Sequence, residues 1–314
     1  MEVNYLVSIC IPTFNAEKYI EFTLKALLHQ TYSNLEVIVV DDNSSDNTRG
    51  VIDSLCNDRV KVIVNSGKGA SSARNLAFKH SSGSFVVFFD ADDYVPQNFI
   101  ETQLKTALRK DGSVALSAWG RFTGFDLFSF KHDPFIVQSD LSFYDWIIKY
   151  WTFCRHTTPP GRVLIPRNVV EQSGLWNEAL SLNDDFEFFT RIFSSSSDIS
   201  YNKESIFYYR SGIGGLSSKK TPDAYRSYFL SLKLSFDHVL KQYQYDSKIA
   251  FACANMWKMF IYESYPIRKD LIKLAEQEII KLGGADIAFP AGGKTKLLSQ
   301  IVGWKVAKRI SNLI

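Results

Sequence analysis

Three carboxylates follow a strongly apolar segment in the first third of the chain. Phe85 to Phe89 are consecutive apolar residues, typical of a strand buried on both faces of a sheet, and Asp90, Asp92 and Asp93 come directly after them. Because like charges repel, such a cluster generally faces solvent or holds a cation. Mg²⁺ and Mn²⁺ take oxygen ligands and need few carboxylates when substrate phosphates also bind them. The cluster therefore predicts a divalent metal site; a polar loop that ends a strand is the alternative.

The surrounding segments alternate between strand and helix patterns. This alternation predicts a mostly parallel, open α/β sheet flanked by helices. Ligands of such sheets bind at the carboxyl ends of the strands, so the polar residues found there are expected to meet in one crevice. The first four strands are predicted at Leu6 to Ile11, Leu35 to Val40, Val60 to Val64 and Phe85 to Phe89, with Pro12 ending the first. The polar strand ends are Pro12-Thr13, Asp41-Asp42 and Asp90-Asp92.

The remainder of the chain predicts a second, helical part. More strands are predicted at Val114 to Trp119, Val163 to Pro166 and Ser200 to Tyr209, and residues 121–160 are expected to be irregular apart from a helix near Phe143 to Tyr150. Helices alone are predicted beyond residue 220, at 222–242, 246–264 and 268–282. We therefore predict an α/β domain over residues 1–220 and a helical region over 221–314.

Composition excludes some classes of protein. The 314 residues carry a net charge of only +3, which argues against a nucleic-acid partner. The four cysteines are scattered without metal-binding spacing, and the first residues lack the pattern of a signal peptide, so a cytoplasmic protein is expected. No apolar run is long enough to span a bilayer.

The last helix-forming segment is basic and amphipathic. Residues 294–313 place Leu297, Ile301 and Trp304 among lysines, and no acidic residue follows Ala291. Such a segment is typical of a helix that lies on a membrane surface, and equally of a terminal helix docked on the protein body. Both hypotheses stay open at this point. The first would place the protein at the inner face of the cell membrane.

Five motifs in order resemble the family-2 glycosyltransferases, inverting enzymes of the GT-A fold that use nucleotide-sugar donors. The resemblance covers residues 6 to about 218. The motifs are Ser8-Ile-Cys-Ile-Pro-Thr-Phe-Asn15, Val39-Val-Asp-Asp-Asn-Ser-Ser-Asp46, Ala73-Arg-Asn75, Phe89-Asp-Ala-Asp-Asp93, and Asp184-Asp185 followed by Arg191.

The resemblance implies roles for particular residues. Asp92 would ligate Mn²⁺ or Mg²⁺, and Asp185 would be the general base, with Asp184 orienting it or the acceptor. We expect the amides at the helix start to lower the pKa of Asp185, while Asn183 to Asp185 also cap that helix. The donor-binding residues implied by the resemblance are Pro12, Thr13, Phe14, Asn15, Asp41, Asp42, Arg74, Asp90 and Ala91.

The implied reaction moves a sugar, with UDP as the expected nucleotide, to a hydroxyl of a glycan or lipid-linked glycan of a bacterial surface polysaccharide. Many relatives carry a His soon after the Tyr-Arg pair, whereas Tyr209-Arg210 is followed here by Ser211, and Lys219 or Lys220 could replace that contact. A nicotinamide-dependent oxidoreductase and a nucleotidyltransferase are disfavoured, because no glycine-rich turn follows the first strand. A non-catalytic sugar-binding or scaffold subunit is the alternative from another class.

Overall fold

The computed structural model describes residues 4–135, 138–215 and 221–311. The chain forms two compact units, Met1–Phe143 with Thr157–Ser218, and Tyr144–His156 with Lys219–Ile314. The segment 144–156, which the sequence analysis assigned to the first part of the chain, therefore belongs to the second unit.

The first unit is built on a sheet flanked by helices. Its strands are β1 (Val7–Thr13), β2 (Leu35–Asp41), β3 (Val60–Val64), β4 (Phe85–Phe88), β5 (Val114–Thr123), β6 (Asp126–His132), β7 (Val163–Pro166) and β8 (Ile199–Ser211). Its helices are α1 (Ile20–Leu28), α2 (Thr48–Leu55), α3 (Ala70–Lys79), α4 (Phe99–Ala107), α6 (Arg167–Ser173) and α7 (Asp184–Ser195). Helix α5 (Phe143–Trp146) begins at the last residue of this stretch of the first unit, and its other residues belong to the second unit.

The strand order is β3-β2-β1-β4-β7-β5-β6, and β8 pairs with β5. Strands β1 to β4 pair in parallel, as do β5 and β8, whereas β7 runs antiparallel to both β4 and β5. The predicted α/β sheet is confirmed, and the carboxyl ends of β1, β2 and β4 lie side by side. Both faces are covered, because β4 is buried throughout and only Pro12 of β1 is partly exposed.

Pro12 does not end the first strand as predicted. Strand β1 continues to Thr13, and its pairing with β2 includes Pro12 opposite Val40. On the other side, the ladder with β4 stops at Cys10, whose carbonyl accepts a hydrogen bond from the Phe89 amide. Since alternate residues of a strand direct their amides to the same neighbour, the missing N–H of Pro12 falls where no partner strand remains.

Residues 121–132 are not irregular as predicted but form a β-hairpin. Strand β5 runs on to Thr123, and β6 returns antiparallel to it, with Thr123 opposite Asp126. Gly124 occupies the turn with a φ of +54°, a left-handed conformation that glycine adopts without a steric penalty. The exposed, aromatic β6 has no clean apolar alternation, so its pattern did not predict a strand.

The second unit is helical. Its main helices are α8 (Pro222–Gln242), α9 (Ser247–Ser264), α10 (Lys269–Lys281), α11 (Gly293–Val302) and α12 (Trp304–Ser311). Thr221 caps α8 by accepting from the Ala224 amide, and Asp246 caps α9 through the Lys248 and Ile249 amides. Aromatic rings of α8 and α9 pack together, including Phe236 against Trp257 at 5.2 Å. The predicted helices at 222–242, 246–264 and 268–282 are confirmed to within one residue at each end.

Candidate active site

Arg74 joins two parts of the first unit that are distant in sequence. It lies on α3 and is 6% exposed. Its Nη2 donates to Asp90 Oδ1 at 2.8 Å, directly after β4, and its Nη1 donates to Asp184 Oδ2 at 3.0 Å, in the first turn of α7. Ser71, one turn earlier on α3, also donates to Asp184 Oδ2 at 3.0 Å. The end of β4 and the start of α7 are thereby held at one site.

The ring of Trp176 packs against the guanidinium of Arg74. The Arg74 Cζ lies 4.3 Å from the centre of the Trp176 ring, which stacks in turn on Phe188 at 4.0 Å. Asn75 fixes the Trp176 backbone by donating to its carbonyl and accepting from its amide, both at 2.9 Å. Arg191, part of the fifth motif, donates to the carbonyls of residues 173–175 and so holds the loop that leads to Trp176.

The loop after β1 is braced against the loop after β2. Thr13 is buried and donates from Oγ1 to the Val40 carbonyl at 3.1 Å. Asn15 Oδ1 accepts from the Ser45 amide at 2.8 Å, and Asp41 Oδ1 accepts from the Ser44 hydroxyl at 2.5 Å. Phe14, which lies between Thr13 and Asn15 in the sequence, has 61% of its surface exposed. An exposed ring on a rigid loop can stack on a flat ligand such as a nucleobase.

Asp42 holds the turn that opens α3. Its two oxygens accept from Asn65 Nδ2 at 2.7 Å and from the Gly69 amide at 2.8 Å. Gly69 precedes α3 with a φ of +90°, which a residue with a Cβ rarely adopts. Carboxylate oxygens have two lone pairs each, so Asp42 can still accept a hydrogen bond from a base. The same contacts place α3, and with it Arg74, relative to β2.

Asp90, Ala91 and Asp92 form the turn after β4. Asp90 is 26% exposed and forms an ion pair with Arg74. Asp92 is half-buried, and no positively charged side chain of the described residues forms an ion pair with its carboxylate. Burial and the charge of Asp90 raise the pKa of Asp92 to about 7. No group of three or more potential metal-ligating side chains gathers in the described ranges. Two neighbouring carboxylates nevertheless fit a hard divalent ion whose other ligands come from substrate phosphates and water.

Asp93 is buried and holds the backbone around the turn after β4. It is 1% exposed, and its Oδ1 accepts from the Arg210 amide at 2.8 Å. Its carbonyl accepts from the Thr23 hydroxyl at 2.8 Å. Burial and the neighbouring Asp92 carboxylate raise the pKa of Asp93 well above its usual value. Asp93 therefore ties the turn after β4 to β8 and α1.

Asp184 and Asp185 occupy the first turn of α7. Burial and the Asp184 charge raise the pKa of Asp185 to about 7, so the expectation of a lowered pKa is wrong. The amides do act in that direction, since Phe186 N donates to Asp185 Oδ1 at 2.8 Å, but desolvation is the larger effect. The capping prediction is also wrong in its details: the helix begins at Asp184, and Asn183, with a φ of +64°, makes no side-chain cap.

Three residues of the site were not predicted from the sequence. Trp176 and Ser71 carry no motif, and only their contacts with Arg74 and Asp184 mark them. Arg210 had a signal, because it directly follows the strand predicted at Ser200 to Tyr209. The predicted contacts of Lys219 and Lys220 lie outside the described residues.

These observations define an α/β domain with a cluster of carboxylates around the buried Arg74. The family model described as Glycosyl transferase family 2 matches residues 8–168, just over half of the chain. The chain belongs to glycosyl transferase family 2. The recognition made from the motifs is thereby confirmed.

Two similar relatives each cover less than half of the chain. "UDP-Glc:alpha-D-GlcNAc-diphosphoundecaprenol beta-1,3-glucosyltransferase WfgD" of Escherichia coli is 43% identical over 109 residues, which are 34% of this chain and 43% of that protein. "Glycosyltransferase GlyG" of Streptococcus pneumoniae is 31% identical over 148 residues, 46% of this chain and 44% of that protein. The chain thus spans less than half the length of each of these two relatives.

Solved structures support the fold over most of the chain. S. aureus TarS in complex with UDP superposes with a TM-score of 0.66 at 19% identity, covering 88% of both chains. The TarS complex with UDP-GlcNAc gives a TM-score of 0.63 at 20% identity, covering 88% of this chain and 89% of that one. At this identity the likeness establishes a shared GT-A fold.

We expect replacement of Arg74 by Met to destabilise the protein strongly at alkaline pH. Breaking a buried ion pair costs about 3–5 kcal/mol, because the partner charges stay buried. Without Arg74, which lowers the pKa of both Asp184 and Asp185, those carboxyls hold protons to higher pH. The loss should therefore be larger at pH 8 than at pH 5.5, because a folded state with raised carboxyl pKa values loses stability as the pH rises.

Urea unfolding at the two pH values measures this difference. Arg49→Met is the matched control, because Arg49 forms an exposed ion pair with Asp53 and should cost at most about 1 kcal/mol. An equal loss for both variants, or a loss independent of pH, would contradict the assignment.

Proposed function

We propose that the chain transfers a sugar from a UDP-sugar donor to a hydroxyl group of a glycan or lipid-linked glycan, with inversion at the anomeric carbon. The observation that carries the proposal is the bridge made by Arg74, which brings Asp90 at a strand end and Asp184 beside Asp185 to one site. Inverting transfer needs one group to hold the donor and one to take the acceptor proton. The two sides of this bridge provide both.

On the donor side, the loops after β1 and β2 would hold the nucleotide. Phe14 offers an exposed ring for the base, and Asp42 has accepting capacity left for the uracil N–H. Pro12, Thr13, Asn15 and Asp41 shape and brace this part of the site. Asp90 and Ala91 follow on the next strand and would contact the ribose and diphosphate. Binding of UDP and UDP-GlcNAc by TarS, which shares the fold, supports this arrangement.

On the acceptor side, Asp185 would accept the proton of the attacking hydroxyl. Its pKa near 7 suits a general base at neutral pH, since a base is most effective when its pKa lies near the working pH. Asp184 is held by Arg74 and Ser71, so it would orient the first turn of α7 and keep the pKa of Asp185 raised.

Asp92, with Asp90 beside it, would hold Mn²⁺ or Mg²⁺. A divalent ion bound there would neutralise charge on the departing diphosphate as a Lewis acid. Asp92 suits this task because burial and Asp90 disfavour its charge, and a cation would relieve both effects.

The printed name of WfgD gives a lipid diphosphate-linked acceptor, and this supports a similar acceptor for the present chain. A non-catalytic sugar-binding subunit remains the competing proposal. Against it stands the raised pKa of Asp185, because perturbed pKa values cluster at catalytic sites.

We expect Asp185→Asn to lose at least about 100-fold in kcat while still binding UDP, since general-base catalysis typically contributes this much. Sugar transfer is measured by release of UDP, and binding by thermal shift with UDP. Asp53→Asn on the exposed side of α2 is the matched control and should keep full activity. An Asp185→Asn variant as active as the parent would eliminate Asp185 as the base.

We expect kcat/KM to rise with pH and level off above about 7. Asp185 must be ionised to accept a proton, and with a pKa of about 7 its ionised fraction falls about tenfold per pH unit at lower pH. Asp184→Asn removes the neighbouring negative charge, so the rise should move to lower pH. A profile that falls between pH 6 and 8, or that does not move in Asp184→Asn, would contradict this assignment.

We expect stabilisation by UDP to depend on Mn²⁺ in the parent and to lose that dependence in Asp92→Asn. A ligand that binds only the folded state raises its stability, so the melting temperature reports binding. The control is Asp198→Asn, whose carboxylate pairs with Lys110 at the surface. Equal Mn²⁺ dependence in the parent and Asp92→Asn would remove Asp92 from the metal site.

Each of the two hypotheses left open by the sequence fits one of the C-terminal helices of the second unit. Trp304 packs on Tyr262 at 4.8 Å and on Tyr265 at 5.2 Å, so α12 is docked through this ring. In contrast, α11 exposes an apolar stripe of Leu297, Ile301 and Val302, which are 63%, 81% and 42% exposed. We propose that this stripe of α11 contacts an anionic membrane surface, supported by its neighbouring lysines. No helix in the described ranges is long and apolar enough to cross a membrane.

We expect Ile301→Asp to reduce binding to vesicles of phosphatidylglycerol, because a carboxylate in the stripe repels anionic lipid. Flotation measures the bound fraction. Phe128→Asp is the matched control, since Phe128 is a fully exposed apolar residue of the first unit. Point variants are preferable to truncation, which would uncover the rings that Trp304 packs against. Equal flotation of parent and Ile301→Asp would refute the membrane contact.

A further inference from the structure

The proposed reaction gives no role to Arg210, whose side chain lies beside the turn that carries Asp90 and Asp92. It lies near the carboxyl end of β8 and is 2% exposed. Its amide donates to Asp93 Oδ1, and its side-chain Nε donates to the carbonyl of Asp92. The base of the guanidinium is therefore fixed against the turn that carries Asp90 and Asp92.

Four aromatic rings surround this guanidinium and are called here the aromatic cage. They are Tyr19, Phe22, Phe122 and Phe125, whose centres lie 5.0, 5.2, 4.5 and 4.9 Å from the Arg210 Cζ. Contacts between a cation and aromatic faces compensate part of the desolvation of the charge. They do not supply hydrogen-bond acceptors, however.

The terminal nitrogens of Arg210 lack such acceptors. Both Nη1 and Nη2 are buried, and neither has a hydrogen-bond partner among the residues that the structure describes. A guanidinium has five N–H donors, of which Nε uses one here. Leaving buried donors unsatisfied is unfavourable, and the paired donors of arginine match the oxygens of a phosphate. The arrangement is thus typical of an anion site that is completed by a ligand.

Phe125 is the member of the aromatic cage that can uncover the guanidinium. It is 56% exposed and lies in the turn of the β5-β6 hairpin, next to Gly124. Phe122, by comparison, is fully buried within β5. Movement of the hairpin turn would therefore open the cage without disturbing the core.

We propose that Arg210 binds a phosphate group of a diphosphate ligand through Nη1 and Nη2 after Phe125 has moved aside. The inference rests on the proposed function, which supplies two sources of this chemistry: the diphosphate of the nucleotide donor and that of a lipid-linked acceptor. The short link through the Asp92 carbonyl places Arg210 next to the turn where either diphosphate would meet the metal ligands.

Calorimetric titration in the presence of Mn²⁺ tests the proposal with UDP, with uridine, which lacks phosphate, and with farnesyl diphosphate, which lacks a nucleoside. Arg210→Lys keeps the charge and removes the paired donors. It should weaken binding of the diphosphate by about tenfold or more and leave uridine binding unchanged. Arg121→Lys is the matched control, because Arg121 also lies over an aromatic ring, that of Trp119 at 4.8 Å, but is half exposed.

Phe125→Ala provides a second variant that keeps Arg210. Its affinity for the diphosphate should equal or exceed that of the parent, because the cover is gone. A loss with UDP assigns the phosphate to the donor, and a loss with farnesyl diphosphate assigns it to the acceptor. Unchanged diphosphate binding in Arg210→Lys, or an equal loss of UDP and uridine binding, would overturn the inference. If the parent binds farnesyl diphosphate through Arg210 but no UDP, the proposed UDP-sugar donor fails while the inference stands.

Discussion

One buried guanidinium makes it possible for carboxylates from two distant segments to share a site. Without Arg74, the charges of Asp90 and Asp184 would repel each other in a half-buried environment and would favour separation of β4 from α7. The two ion pairs, the stacking on Trp176 and the brace from Asn75 fix the guanidinium from several sides. The position of α7, and therefore of Asp185, depends on this interaction.

The single positive charge of Arg74 does not neutralise all the carboxylates around it. Asp185 and Asp92 both have a pKa raised to about 7, in each case by burial and by a neighbouring aspartate. Both carboxyls therefore exchange a proton near neutral pH, and the metal ion proposed for Asp92 would favour its charged form. Arg210 has the opposite imbalance. It is a buried cation whose Nη1 and Nη2 donate to no group among the described residues. The proposed ligand, a diphosphate with a divalent ion, would compensate both imbalances.

Periodicity predicted the regular elements well where burial was complete. The first four strands and the helices of the second unit lie close to their predicted positions, because a buried strand or an amphipathic helix leaves a clear apolar pattern. The failures have local physical reasons. Pro12 remains within β1 because its missing donor faces a position without a partner strand, and β6 was missed because none of its residues is fully buried.

The sequence by itself determined the family, the α/β succession and the clusters Asp41-Asp42, Asp90-Asp92 and Asp184-Asp185, since residue type and spacing are local properties. Tertiary structure decided which of these groups meet and in what state. The pairing of Arg74 with Asp184 spans 110 residues, Trp176 has no motif, and the pKa of Asp185 is raised instead of lowered. Desolvation and long-range charge pairing depend on what packs around a residue, and a linear pattern does not contain that information.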